Sequence, residues 1–191
     1  FERIGFDCTA VHEKGRKLIL PIGDNQFEVV LAKAADVITY VEHGVCDLGV
    51  VGKDTIIENG SSFYEVLDLG FGKCRMCICG PESARELLDG NQQIRVATKY
   101  PNIAKDYFYN KKNQTVEIIK LNGSIELAPI VGLSEVICDI VETGSTLREN
   151  GLHILEEVCP LSARVVVNQV SMKMESERIS ELLGKLKKVI K

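Results

Sequence analysis

Long apolar runs are missing from this 191-residue chain. The longest, such as Val29 to Ala32 and Val165 to Val167, are strand-sized and fall far short of the ~20 residues of a membrane-spanning helix, so no membrane role is expected. A surplus of positive charge is missing too: 23 Lys and Arg stand against 27 Asp and Glu, for a net charge of -4. That argues against a nucleic-acid-binding face but leaves room for a local nest of N–H groups around a small anion. Metal-ligand spacing is also absent. His12, His43 and His153 are scattered, and Cys74-Arg-Met-Cys77 has no second Cys pair or HxxxH to complete a site. The run Cys74 to Cys79 reads as a strand, in which residues three apart point to opposite faces, so its thiols are read as small buried apolar groups. Internal repeats and low-complexity segments are lacking. The chain opens on Phe1 rather than Met, in what reads as the tail of a helix, and residues are expected to precede it.

A hydrophobic content of 45% is ample for one large domain or two small lobes. Seven cysteines, an odd number, fit a reducing compartment better than a disulfide framework, and the expected location is cytoplasmic.

The stretch that carries chemistry is Asp139-Ile-Val-Glu-Thr-Gly-Ser-Thr-Leu147, running on to Gly151. Val136 to Val141 reads as a buried strand. Two acids, a Gly and three hydroxyl side chains then fall within eight residues, followed by helix-forming composition. A helix start leaves N–H groups without partners, and Thr143, Gly144, Ser145 and Thr146 add hydroxyls while letting backbone approach a ligand, so an anion fits there. Asp139 and Glu142 would repel a bare phosphate, and make sense if the ligand also carries sugar hydroxyls or a bound metal ion. A phosphorylated ribose meets both conditions. The bland alternative is an ordinary turn in which Thr143 or Ser145 merely caps the helix.

Taken in order, Lys17 to Pro21 and Phe27 to Ala32 read as strands around a Gly23-Asp24-Asn25 turn, and Ala34 to His43 as a helix stopped by Gly44. Cys46 to Gly52 reads as a buried strand, with Asp54 capping a short helix. The join from Asp47 through Gly49 and Gly52 is a second place where backbone could meet a ligand at a strand's carboxyl end. Strands are expected at Val66 to Leu69, Cys74 to Cys79, Ile94 to Thr98, Val116 to Lys120, Val136 to Val141, near His153 to Val158, and over Arg164 to Val170. Helices are expected at Pro101 to Asn110, Ile125 to Val131 and Glu175 to Ile190. The repeated strand-to-helix alternation predicts an α/β protein with a mainly parallel sheet in each of two lobes. Lobe I comprises residues 1–80 and 164–191, lobe II residues 81–163, with a cleft between them.

Five blocks in order give a specific resemblance: Tyr40-Val-Glu-His-Gly-Val-Cys-Asp-Leu-Gly-Val-Val-Gly-Lys-Asp54, Leu67-Asp-Leu-Gly-Phe-Gly-Lys-Cys-Arg75, Ala97-Thr-Lys-Tyr-Pro101, Asn122-Gly-Ser-Ile-Glu-Leu-Ala-Pro129, and Asp139 to Leu152. Over nearly all its length the chain resembles the catalytic chain of the ATP phosphoribosyltransferase family, which opens histidine biosynthesis. The resemblance implies a two-lobe fold similar to type II periplasmic solute-binding proteins, with Mg²⁺, ATP and phosphoribosyl pyrophosphate meeting in the cleft. The Mg²⁺ would be bound mainly through the substrate. It implies that an adenine ring nitrogen of ATP attacks the anomeric carbon of the ribose and displaces pyrophosphate. Glu142 to Leu147 then becomes the sugar-phosphate loop, with Asp139 and Glu142 as catalytic acids near the ribose hydroxyls or the metal shell.

Glu126, within Gly-Ser-Ile-Glu, is a candidate for a further ribose or nucleotide contact. Lys53, Arg75 and Lys99, with Tyr100 beside it, are candidates to line the substrate site, although each cation could equally be solvated surface. The family's Lys-Gly-Arg motif on the nucleotide side is expected upstream of Phe1, and Lys14-Gly-Arg16 is not given that role. With no further domain read after the helix ending near Lys191, the chain resembles the short form of the family. The resemblance implies a homodimer and a separate regulatory subunit resembling histidyl-tRNA synthetase. A non-enzymatic two-lobe solute-binding protein is the competing reading, but a receptor has no reason to set two acids beside a phosphate loop, and seven thiols suit a secreted protein poorly.

Overall fold

The computed structural model describes residues 1–60, 62–90 and 92–190. Its strands, in chain order, are β1 (Ile19–Ile22), β2 (Phe27–Val30), β3 (Leu48–Gly52), β4 (Phe63–Asp68), β5 (Cys74–Gly80), β6 (Ile94–Thr98), β7 (Val116–Lys120), β8 (Val136–Val141), β9 (His153–Leu161) and β10 (Ala163–Asn168). The chain divides into two compact units. One comprises Phe1–Gly52, Ser61–Phe71 and Ala163–Lys191, the other Lys53–Gly60 and Gly72–Ser162.

In the first unit β1 and β2 form an antiparallel hairpin, and a separate sheet has the order β3-β10-β4. β10 runs antiparallel to both neighbours. The expected mainly parallel sheet is therefore corrected. β3 and β4 do run parallel to each other, as strand-helix alternation implies, but β10 arrives from far along the chain and inserts between them. Periodicity tells which residues are apolar, not which strand becomes a neighbour. β10 is buried on both faces, which is why Val165, Val166 and Val167 form an unbroken apolar run. Val165 and Val167 pack under the helix Ser176–Lys187, whose Ile179, Leu182, Leu183 and Leu186 are buried at the spacing of one helical face. The helix Ala34–Glu42 buries Ile38 and Val41.

The second unit holds the sheet β7-β6-β8-β5-β9. β6 pairs parallel to β7 and β8, while β5 pairs antiparallel to β8 and β9, so this sheet is mixed. β5, placed in the first lobe by the sequence reading, has its ladder here. Its alternation serves two cores: Met76 and Ile78 face one cluster, Cys77 and Cys79 the other. The thiols thus fill the interior as compact apolar groups. Pro160 lies inside β9, where the edge position tolerates a residue that cannot donate to a ladder. The helix expected from Pro101 is α-helical only over Pro101–Lys105 and widens into a π-helical turn over Asp106–Lys111.

Candidate functional site

Parallel pairing puts the carboxyl ends of β6, β7 and β8 on one edge of the second unit's sheet, and antiparallel pairing brings the start of β5 to the same edge. Four stretches separated in sequence meet there: Lys99-Tyr100 after β6, the Asn122 to Glu126 turn after β7, Asp139 to Leu147 at the end of β8, and Arg75 on β5. The carboxyl edge is where open α/β sheets hold their ligands.

Asp139 shares a sheet face with Ile137 and Val141, the face covered by Ile125, Ala128, Leu147 and Leu152. It is half-buried for that reason, and burial pushes its carboxyl pKa above the ordinary aspartate value. The Ile140 N–H donates to Asp139 Oδ1 at 2.8 Å and opposes that rise. Glu126 repels the charged carboxylate while Lys99 attracts it, so both lie within electrostatic reach of Asp139. Lys99 Nζ lies 5.9 Å from the Tyr100 ring centroid. Burial, and after it Asp54 and Asp139, drive the Tyr100 phenol up. Glu142 is exposed one residue beyond β8.

The loop itself is ordered by its own polar groups. Thr143 Oγ1 and Ser145 Oγ lie 3.1 Å apart, and the Ser145 N–H approaches Thr143 Oγ1 at 3.4 Å. Gly144 caps the helix Ser145–Glu149 at φ 72°, a left-handed conformation that costs a β-carbon-bearing residue free energy. Thr143, Ser145 and Thr146 are exposed. Leu147, expected to touch the ligand, is only 6% exposed and anchors the short helix in the core.

The other candidate residues have the following surroundings. Asp47, Gly49 and Gly52 lie in the first unit. Gly49 is explained by packing: a β-carbon there would stand 2.7 Å from Val37 Cγ1 and 2.9 Å from Val41 Cγ2, so its bareness lets the helix Ala34–Glu42 settle on the sheet. The Asp47 carboxylate accepts from Ser171 Oγ at 2.7 Å, and its carbonyl accepts from the Asn168 N–H at 2.9 Å. Gly52 closes β3 opposite Ala163. Arg75 donates to Glu157 at 3.0 Å, so its charge already has a carboxylate partner.

Three contributors were missed. Thr98 is fully buried; its hydroxyl donates to the Cys138 carbonyl at 2.6 Å and accepts from the Tyr100 N–H at 2.8 Å, tying β6 to β8 just beneath the site. Its β-branched side chain had looked like ordinary strand composition. The Glu58 carboxylate accepts from the N–H groups of Asn102 and Ile103, occupying the start of the helix Pro101–Lys105. No local signal links residues 44 apart. Arg148 Nη1 donates to the Thr143 carbonyl at 3.1 Å, a contact hidden in what read as helix-forming composition. The depression of about 530 Å³ lined by Asp89, Gly90, Lys112, Asn113 and Thr115 lies at the opposite, amino ends of β6 and β7.

The edge therefore combines hydroxyls and backbone amides suited to a phosphate, acids suited to sugar hydroxyls, and a lysine. Comparison with known proteins points the same way. Residues 33–188 match the family model described as "HisG: ATP phosphoribosyltransferase". ATP phosphoribosyltransferase of Lachnoclostridium phytofermentans is 69% identical over 190 residues, covering 99% of this chain and 88% of that one. The enzyme of the same name from Lachnospira eligens is 68% identical over 191 residues, covering 100% and 88%. Among solved structures, the ATP phosphoribosyl transferase (HisG:HisZ) complex from Thermotoga maritima is similar at a TM-score of 0.74 and 39% identity, over 85% of this chain and 79% of that one. With matches of this extent and a sheet edge of this chemistry, the chain belongs to the ATP phosphoribosyltransferase family.

Proposed function

We infer that this chain transfers the 5-phosphoribosyl group from phosphoribosyl pyrophosphate to an adenine ring nitrogen of ATP, releasing pyrophosphate in the first step of histidine biosynthesis. The observation that carries the reading is the near-full-length identity of 69% to an enzyme of that name. The sheet edge supplies matching chemistry. Thr143, Gly144, Ser145 and Thr146 hold the terminal phosphate of the sugar through hydroxyls and amides. Asp139 and Glu126 face the ribose hydroxyls, and Glu142 stands beside them. Lys99 offsets the negative charge of the leaving pyrophosphate.

In such a displacement positive charge builds on the sugar and negative charge on the leaving group, so catalysis is chiefly positioning and electrostatic stabilisation. Carboxylates near the anomeric carbon stabilise the first. The oxygen donors of Asp139 and Glu126 suit Mg²⁺, which would arrive on the pyrophosphate and neutralise part of its charge.

We further propose that the two lobes are of the type II periplasmic-binding-protein-like kind, and that the chain acts as a homodimer. The Thermotoga maritima protein was solved as a HisG:HisZ complex. By analogy this chain works with a separate regulatory subunit resembling histidyl-tRNA synthetase. The reading also places it in the cytoplasm, where seven unpaired cysteines are stable; no helix among the described residues is long and apolar enough to cross a membrane. The test is pyrophosphate release from ATP and phosphoribosyl pyrophosphate by the chain with its partner. Release that requires both substrates is expected, and no release with both present would overturn the assignment.

A further inference from the structure

Arg148, on the helix Ser145–Glu149, reaches back to the loop that precedes it. Its Nη1 donates to the Thr143 carbonyl at 3.1 Å and would lie 3.4 Å from a β-carbon on Gly144, so the guanidinium covers the Thr143–Gly144 peptide from one side. Its own N–H donates to the Gly144 carbonyl at 3.2 Å, which fixes the origin of the side chain relative to the loop. The peptide is trans, as every peptide bond in the described chain is. The carbonyl of Thr143 and the N–H of Gly144 therefore point in opposite directions, and holding the carbonyl toward Arg148 turns the amide away from it.

A peptide preceding glycine is unusually free to turn over, because the following φ can take either sign at little cost. Gly144 sits at φ 72°. Nothing in the glycine itself selects that sign; a hydrogen bond to the preceding carbonyl does. Turned the other way, the Thr143 carbonyl would present its negative end to the ligand, and an anion would be repelled where an amide should meet it.

We propose that Arg148 is a positioning residue for phosphoribosyl transfer: it locks the Thr143–Gly144 peptide so that an amide, not a carbonyl, faces the sugar phosphate. This rests on the function proposed above. It makes the arginine specific to the terminal phosphate of the sugar, with no bearing on pyrophosphate or ATP.

The test is calorimetric binding of ribose 5-phosphate, magnesium pyrophosphate and ATP to the whole chain and to Arg148→Met and Arg148→Lys. Loss of a charge-assisted hydrogen bond should weaken ribose 5-phosphate about tenfold in Arg148→Met. Arg148→Lys should recover part of the loss, while ATP and pyrophosphate bind within about twofold of the parent. In the chain labelled with ¹⁵N, the Gly144 amide resonance should move downfield on saturation with ribose 5-phosphate, and move clearly less at matched saturation in Arg148→Met. Ribose 5-phosphate affinity unchanged within about twofold, or an equal loss for all three ligands, would overturn the proposal while leaving the reaction assignment standing. Should Arg148→Met fail to fold, Arg148→Lys and Arg148→Gln carry the same comparison. A parent chain that binds neither ribose 5-phosphate nor phosphoribosyl pyrophosphate overturns the functional reading, and the role of Arg148 with it.

Discussion

Asp139 illustrates how a residue can be costly to the fold and valuable to the reaction. Burial raises its pKa, with Glu126 adding repulsion. The folded state consequently keeps the proton at a pH where the unfolded chain has lost it. Stability tied to this group is greatest below the ordinary aspartate value near ~4 and falls as pH rises through the raised folded value. At neutral pH the charged carboxylate is a penalty. Asp139→Asn should therefore raise the melting temperature at pH 7, narrow that gain toward pH 4, and lower turnover by about 10², roughly 3 kcal/mol. Turnover within about threefold of the parent would make the acid structural. Gly144→Val is the complementary case. A β-branched residue at φ 72° is strained, and its side chain would meet Arg148 and Val141. Binding of phosphoribosyl pyrophosphate, followed by calorimetry, should be lost while the far-ultraviolet circular dichroism of the chain persists.

Among elements, the joint around β10 depends on one buried side chain. Asn168 is 6% exposed; its Nδ2 donates to the Val41 carbonyl at 2.7 Å, and its Oδ1 accepts from the N–H groups of Val170 and Ser171 at 2.8 and 3.0 Å. It caps the helix Gln169–Met174 and holds the end of the helix Ala34–Glu42 in one stroke. Asn168→Ala would strand a buried carbonyl and uncap a helix, and urea denaturation should register a loss of about 2–3 kcal/mol. Ligand affinity at the phosphate loop, in the other compact unit, should change little. An effect below about 0.5 kcal/mol would mean that water replaces the side chain.

For the whole molecule the question is control. A committed biosynthetic step needs feedback, and a related enzyme was solved with a second kind of subunit. A partner can alter turnover only through its differential affinity for the productive conformation. The purified chain should thus bind both substrates yet turn over slowly; adding the HisZ-like partner should raise the rate, and histidine should suppress it again. Full, histidine-insensitive turnover by the chain alone would refute regulation in trans without touching the reaction.

Much of this was legible in the order of residues. The boundaries of β6, β7 and β8 follow from apolar runs ended by Gly, Pro or a charged turn, and the loop Asp139 to Leu147 announces itself by acids, hydroxyls and glycine crowded together. Family membership is equally a property of sequence, since five motifs in order are one-dimensional information. What the sequence could not decide is adjacency. Insertion of β10 between β3 and β4, pairing of β5 with β8 and β9, the Glu58 carboxylate at the start of a helix 44 residues on, and the packing reason for Gly49 all join parts remote along the chain. Local propensity carries no record of such partners, because strand neighbours and buried contacts are selected by the free energy of the assembled core. So too with the site: composition named its residue types, but only the parallel ladder of β7, β6 and β8 brings Lys99, Glu126 and Asp139 to one edge, near enough to shift a proton affinity.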